Sequence, residues 1–198
     1  MKILTFTDVH TDKEVLKILD KKVSEADLLI CPGDIGWLGH GAEEVIKHFE
    51  TWNKPLLLIH GNHEFEDEIR QLTKNSKNIT FLHKKTKIID NIMFVGYGGD
   101  WYNQVSPEFD EWAFDVKEEI KEKKPEKIVL IVHMPVYETK LDYIHSAHRG
   151  NASYRRFVNE VGPNLVFMGH FHETFNMKDI IEKSLLINPG PEGEFYDL

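Results

Sequence analysis

The chain has 198 residues, 41% hydrophobic and 29% charged, with a formal net charge of −9, which fits one soluble domain spanning 1–198 with an adequate core. The acidic balance argues against a protein that grips a nucleic-acid backbone, yet allows an anionic substrate: two divalent ions would bring the charge to about −5 and concentrate positive potential in one pocket. A single cysteine, Cys31, excludes an internal disulfide. With no apolar run of bilayer length and no secretion signal at the start, a cytoplasmic protein without a membrane partner is expected.

Residues 2–7 read as an apolar strand. Thr11-Asp12-Lys13-Glu14 reads as a capping box, and Val15, Leu16, Ile18, Leu19 and Val23 give the stripe of the helix that follows. Asp27–Cys31 predicts a buried strand, Gly33–Gly41 a glycine-rich loop, and 42–52 a helix. Pro55–His60 predicts the next strand, proline being allowed at its first position, and Glu66–Lys74 a short helix. This β-α-β-α-β-α order is that of a parallel sheet with right-handed crossovers.

The middle reads differently. Strands at 79–82, 86–89 and 92–95 with polar turns predict an antiparallel meander. A charged helix over 107–123 follows, its buried side marked by Phe109, Trp112, Val116 and Ile120, and then an apolar strand over 128–132. The stretch 133–152 is long for a connection and is expected to lie over the site. Ser153 is read as the cap of a helix to Val161, before strands at 164–168, 179–182 and 184–187 and a final turn at Asn188-Pro189-Gly190-Pro191.

Chemistry collects at the strand ends. They release Asp8-Val9-His10, Gly33-Asp34, Gly61-Asn62-His63-Glu64, His133-Met134-Pro135 and Gly169-His170-Phe171-His172. In open α/β sheets the carboxyl ends of strands gather on one rim, where ligands bind. Each motif alone reads as a turn or a capping histidine, but their joint occurrence does not. Carboxylate, amide and imidazole without thiolate suit Mn, Fe, Co, Ni or Zn in a catalytic role. Asp34 stands alone in its motif and is a natural bridging ligand. Two metals about 3.5–4 Å apart can clamp an in-line displacement at phosphorus, and a free histidine near the leaving group can act as general acid.

Asp-x-His, Gly-Asp, Gly-Asn-His-Glu, His and Gly-His-x-His, in this order over residues 8–172, resemble the calcineurin-like metallophosphoesterase superfamily, nearest its small, cap-free prokaryotic members. The resemblance implies a four-layer α-β-β-α sandwich of two mixed sheets. It implies two divalent metals, Mn ahead of Fe, Ni, Co or Zn. Asp8, His10, Asp34 and His172 would surround one, and Asp34, Asn62, His133 and His170 the other. His63 would be the second-sphere acid that also steadies the phosphate.

The second motif departs from the protein phosphatase branch, which continues Gly-Asp-x-x-Asp-Arg-Gly. Here the run is Gly33-Asp34-Ile35-Gly36-Trp37-Leu38-Gly39, so the carboxylate that orients the histidine and the phosphate-gripping arginine are both missing. Glu64 and Asp12 are candidates to orient His63. His148 and Arg149, with His145, are candidates for the phosphate grip, Asn62 and His63 also face substrate, and Trp101 or Trp37 is a candidate to stack a ring. His60 is read as structural; His40, His48 and His83 as solvent or loop residues. The expected function is hydrolysis of a small phosphate ester by metal-bound hydroxide, a diester ahead of a monoester. The rival of another class is a silent binding scaffold.

Overall fold

The computed structural model describes residues 1–100 and 103–198. In chain order its elements are β1 (Lys2–Thr5), α1 (Lys13–Lys22), β2 (Leu28–Cys31), α2 (Ala42–Thr51), β3 (Leu56–Leu58), α3 (Glu66–Thr73), β4 (Ile79–Phe81), β5 (Lys85–Ile89) and β6 (Ile92–Tyr97). There follow α4 (Pro107–Lys123), β7 (Lys127–Val132), β8 (Tyr143–Ile144), β9 (Ala147–His148), α5 (Ala152–Val161), β10 (Leu165–Phe167), β11 (Met177–Ile181), β12 (Ser184–Asn188) and β13 (Glu194–Asp197).

The inner strands are apolar on both faces because both faces are covered. In β2 alternate residues divide between two cores: Leu28 and Ile30 meet the opposing sheet, while Leu29 and Cys31 meet helices. One sheet has the order β13-β1-β2-β3-β4, the other β11-β12-β10-β7-β6-β5. The first is parallel except for β13, antiparallel at one margin, and the second has a parallel centre with an antiparallel strand at each margin, so both are mixed. Ile3, Ile30 and Leu57 of the first sheet pack on Phe94, Ile131 and Phe167 of the second. Leu19, Ile46, Phe49 and Ile69 of α1–α3 cover the outer face of one. Phe109, Val116, Tyr154 and Phe157 of α4 and α5 cover the other. The result is the expected α-β-β-α layering. Among the described residues no helix is long and apolar enough to cross a membrane.

Several local expectations are corrected. The predicted meander is divided between the sheets: β4 pairs parallel with β3, Leu56 opposite Ile79 and Leu58 opposite Phe81, and only β5 and β6 form the antiparallel pair. Ile79 and Phe81 reach the helix-side core of the first sheet from there. The α1 cap is Asp12, which accepts from Glu14 N–H and Val15 N–H, and not Thr11. Asn151, not Ser153, caps α5 in the same way. The chain does not finish in the turn at 188–191: β13 returns antiparallel to β1. The stretch 133–152 carries the small β8–β9 hairpin, and buried Asp142 organises it by accepting from Glu138 N–H, Thr139 N–H and Gly150 N–H.

Candidate metal centre

The carboxyl ends of β1, β2, β3, β7 and β10 meet on one rim, where the chain leaves the sheets in unusual backbone conformations. Asp8 (φ 54°), His10 (φ 46°), Asp34 (φ 52°) and His170 (φ 72°) are all left-handed. Such residues each cost of order 1–3 kcal/mol, so surrounding structure must hold them. Part of it is backbone pairing between loops: Asp8 N–H donates to Gly33 O (3.1 Å), His10 N–H to Asp34 O (3.0 Å) and Gly169 N–H to His133 O (2.9 Å).

The motif glycines provide room. A Cβ on Gly33 would lie 2.4 Å from Gly61 N; one on Gly61 would lie 2.0 Å from Asp34 Oδ1; one on Gly169 would lie 2.4 Å from Asp8 Oδ2. The carboxylates therefore occupy space that only glycine leaves open. Glu64 locks two of these loops together, its buried carboxylate accepting from Asp34 N–H (3.0 Å), Gly36 N–H (2.8 Å) and Gly61 N–H (2.8 Å).

The side chains converge as two groups joined at Asp34. In one, His10 Nε2 and His172 Nε2 are 3.1 Å apart, and Asp8 Oδ1 lies 3.5 Å from His172 Nε2 and 3.8 Å from His10 Nε2. In the other, His133 Nε2 is 3.0 Å from Asn62 Oδ1 and 3.2 Å from Asp34 Oδ2, and His170 Nδ1 is 2.6 Å from Asn62 Oδ1. Asp34 Oδ2 is also 3.9 Å from His10 Nε2.

The donor set fits divalent cations. His10 Nδ1 lies 2.9 Å from Gly36 O, and His133 Nδ1 lies 2.9 Å from Pro32 O. A carbonyl only accepts, so each Nδ1 carries the hydrogen and each Nε2 presents a lone pair, the arrangement that fixes a metal-ligating tautomer. Lone pairs of imidazole, amide and carboxylate thus face one another within hydrogen-bond distance. Either a proton or a cation resolves that, and oxygen and nitrogen ligands without sulfur match the borderline divalent ions.

The ionisation balance shows the same tension. Burial opposes charge on Asp34, but His133 prevails and holds the carboxyl well below its ordinary range. Burial likewise opposes charge on His133, and Asp34 lifts it to about 9. His170 falls to about 3 through burial and then the nearby His133. His172 is raised, first by its hydrogen bond to Asp8. Burial, then Asp34, pushes Glu64 up to about 7.

A cleft of about 440 Å³ opens at the centre; Asp34, Asn62, His63, His170 and His172 line it together with Trp37, Ile144, His145, Arg149 and Glu173. A larger groove of about 900 Å³ between α1 and α2 shares only Trp37 with it and holds none of the predicted ligands. Arg149 presents a guanidinium with no ion pair or hydrogen bond among the described residues. His148, a candidate for the phosphate grip, lies outside this cleft: its Nδ1 is 2.7 Å from Asp142 Oδ1, and it lines a separate depression with Tyr143 and Asp179. Trp101 lies outside the described residues.

Neither carboxylate proposed to orient His63 touches it. Glu64 is spent on backbone amides and Asp12 on the α1 cap. What meets His63 instead is Leu38 N–H, 3.0 Å from Nδ1, a partner that no side-chain pattern announces. His83 is buried and not a solvent residue, since its Nδ1 accepts from Gly98 N–H and its ring packs on His60. Phe171, between the two histidines of its motif, also lines the cleft and was not singled out from the sequence.

The family model described as calcineurin-like phosphoesterase matches residues 1–174. An uncharacterized protein of Methanocaldococcus jannaschii is 31% identical over 211 aligned residues, covering 100% of this chain and 92% of that one. Among solved structures, a Thermus thermophilus protein superposes with a TM-score of 0.75 at 15% identity, covering 96% of this chain and 88% of the other. A dimetal phosphatase from Danio rerio does so at 0.65 and 14% identity, covering 94% and 86%. At these identities the structural matches establish the fold.

Proposed function

The chain belongs to the calcineurin-like phosphoesterase family of metal-dependent phosphoester hydrolases, and from that premise we propose that it is a dinuclear phosphodiesterase acting on a small phosphate ester. The observation that carries the reading is a set of three overlapping groups, Asp8/His10/His172, His10/Asp34/His63 and Asp34/His133/His170, with Asp34 lining a cleft of about 440 Å³, a volume suited to a small molecule. Asp8, His10, Asp34 and His172 would hold one ion, and Asp34, Asn62, His133 and His170 the other, with Mn the first choice. When bound, two such ions polarise phosphoryl oxygens and supply a nucleophilic water at neutral pH.

The protein's own groups then have separable tasks. Asn62 and Asp34 set the position of the phosphate relative to His63, whose backbone N–H is fixed by Asp34 Oδ1 at 2.9 Å. His63 presents Nε2 to the cleft, 3.9 Å from Asp34 Oδ2. Arg149, with His145 beside it, supplies the cationic grip from above, taking the place of the arginine missing after Asp34. Trp37 and Ile144 form walls that limit the access of water. Buried, unpaired Cys31 fits a reducing cytoplasm.

The test is hydrolysis of bis-p-nitrophenyl phosphate beside p-nitrophenyl phosphate. The protein is stripped of metal and then given Mn, Ni, Co, Fe or Zn in turn. Metal-dependent turnover preferring the diester is expected. Arg149, whose guanidinium is unpaired among the described residues, favours a second reading, a monoester whose extra charge it would meet; preference for p-nitrophenyl phosphate selects it. Two bound metals with no turnover of either ester would sink both readings in favour of a binding scaffold.

A further inference from the structure

The His63 imidazole is held at Nδ1 by a two-residue turn and not by a carboxylate. Trp37 and His40 exchange both backbone bonds, at 2.8 and 3.0 Å, and the residues between them, Leu38 (φ 47°) and Gly39 (φ 78°), are both left-handed. That is the pattern of a type I′ turn, a conformation that leucine rarely adopts. Core packing does not explain it, because Leu38 is 61% exposed. The turn's two amides explain it better. Leu38 N–H donates to His63 Nδ1 at 3.0 Å, and Gly39 N–H donates to His63 O at 2.8 Å. The Trp37 indole stacks on the same imidazole, ring centroids 4.6 Å apart at 25°. One strained turn thus fixes the side chain, the main chain and the ring plane of His63.

An amide that donates to Nδ1 leaves no place for a proton there. The imidazole is then the neutral tautomer with its hydrogen on Nε2, on the side facing Asp34 and the cleft. Resting on the phosphoesterase reading, we propose that the Trp37–His40 turn makes His63 a hydrogen-bond donor that keeps its proton. Of the two roles expected of this residue, it steadies the phosphate and does not act as the acid. Hydrolysis then balances without it. A water oxygen bonds to phosphorus and releases one proton to solvent, the ester P–O bond breaks with its electron pair on the leaving oxygen, and that oxygen takes one proton from solvent. The substrates so favoured are phosphoesters whose leaving oxygen is a weak base. Leu38, through its N–H, and Trp37 are positioning residues.

Two measurements test this. In the Zn-reconstituted protein, long-range ¹⁵N–¹H NMR should find His63 Nδ1 bare and Nε2 protonated. Replacing the Leu38 amide with an ester linkage, using the α-hydroxy analogue of leucine, should mix the tautomers and lower kcat about three- to tenfold. A proton on Nδ1 in the unmodified protein, or an ester variant with unchanged tautomer and kcat, overturns the proposal. Kinetically, methyl aryl phosphodiesters of p-nitrophenol, p-chlorophenol and phenol should slow steeply in that order. His63→Ala should then lower kcat by the same factor for each. A loss that grows with the basicity of the leaving group means proton transfer from His63 and also overturns it. If the unmodified protein hydrolyses none of these esters with any metal, the phosphoesterase reading falls, while the tautomer alone still decides what the turn does.

Discussion

The two halves of the candidate centre gather similar side chains in unequal surroundings. In the half built from Asp34 and His133 both side chains are buried, at 2% and 0% exposure, whereas in the half built from Asp8, His10 and His172 the last side chain is 50% exposed. Water can relieve lone pairs that face one another at His172. It cannot do so at His133, where low polarisability strengthens every uncompensated interaction. The buried half is therefore expected to hold its ion more tightly and to depend on it for stability, and the open half to exchange its ion with the cleft.

The largest effect should come from the residue both halves share. Asp34→Ala is expected to lose both metals and on the order of 10³-fold or more in turnover. Metal analysis that still finds two ions per chain would erase the shared-ligand account. Next comes the contrast itself. In calorimetric titrations His133→Ala should remove the tighter of two binding steps, and His172→Ala should weaken only the looser one, by about 10–100-fold. Equal effects on both steps would mean that burial does not distinguish the halves.

A second pair of imidazoles, His60 and His83, gives a smaller effect and a control, because among the described residues it belongs to no converging group of three donors. His60 is held down to about 3 by burial and then by His83, and His83 to about 4 by burial. Both lie below the ordinary value of 6.5, so the unfolded chain takes up protons first as pH falls. Their contribution to stability is present above about pH 6.5 and is lost towards pH 4, by up to about 1.4 kcal/mol per pH unit for each group. Urea unfolding of metal-free protein at pH 7 and pH 5 should show a shallower loss in His83→Gln than in the parent; parallel losses would mean that His83 is already charged when folded. Smallest of all, Asp12→Ala should cost about 1 kcal/mol with metal affinity unchanged, since among the described residues the Asp12 side chain meets only Glu14 N–H and Val15 N–H.

Much of this molecule is legible before folding. The unbroken apolar runs Leu28–Cys31 and Ile128–Val132 announce strands with covered inner faces, and the α4 boundaries follow from Pro107 and the spacing of Phe109, Val116 and Ile120. The candidate ligand set is readable because each member sits beside a glycine or at a strand end, where chemistry and backbone constraint coincide in a few adjacent residues. Local pattern failed where the partner is distant. The alternation of Ile79-Thr80-Phe81 suits either sheet, and only its neighbour β3 chose one. Nothing near Glu194–Asp197 shows that β1 has a free edge to receive it. His148 and Arg149 are adjacent in sequence, yet Asp142 holds one away from the cleft while the other lines it.

The composition, the strand-end motifs and their order thus determined the fold class and which atoms are available for metals and phosphate. Tertiary structure alone decided which lone pairs face one another, how far each half of the centre opens to water, and that a backbone amide of Leu38 takes the place of a carboxylate behind His63. The physical reason is that residue type sets what a side chain can donate or accept, whereas protonation, burial and tautomer depend on the groups that long-range packing brings against it.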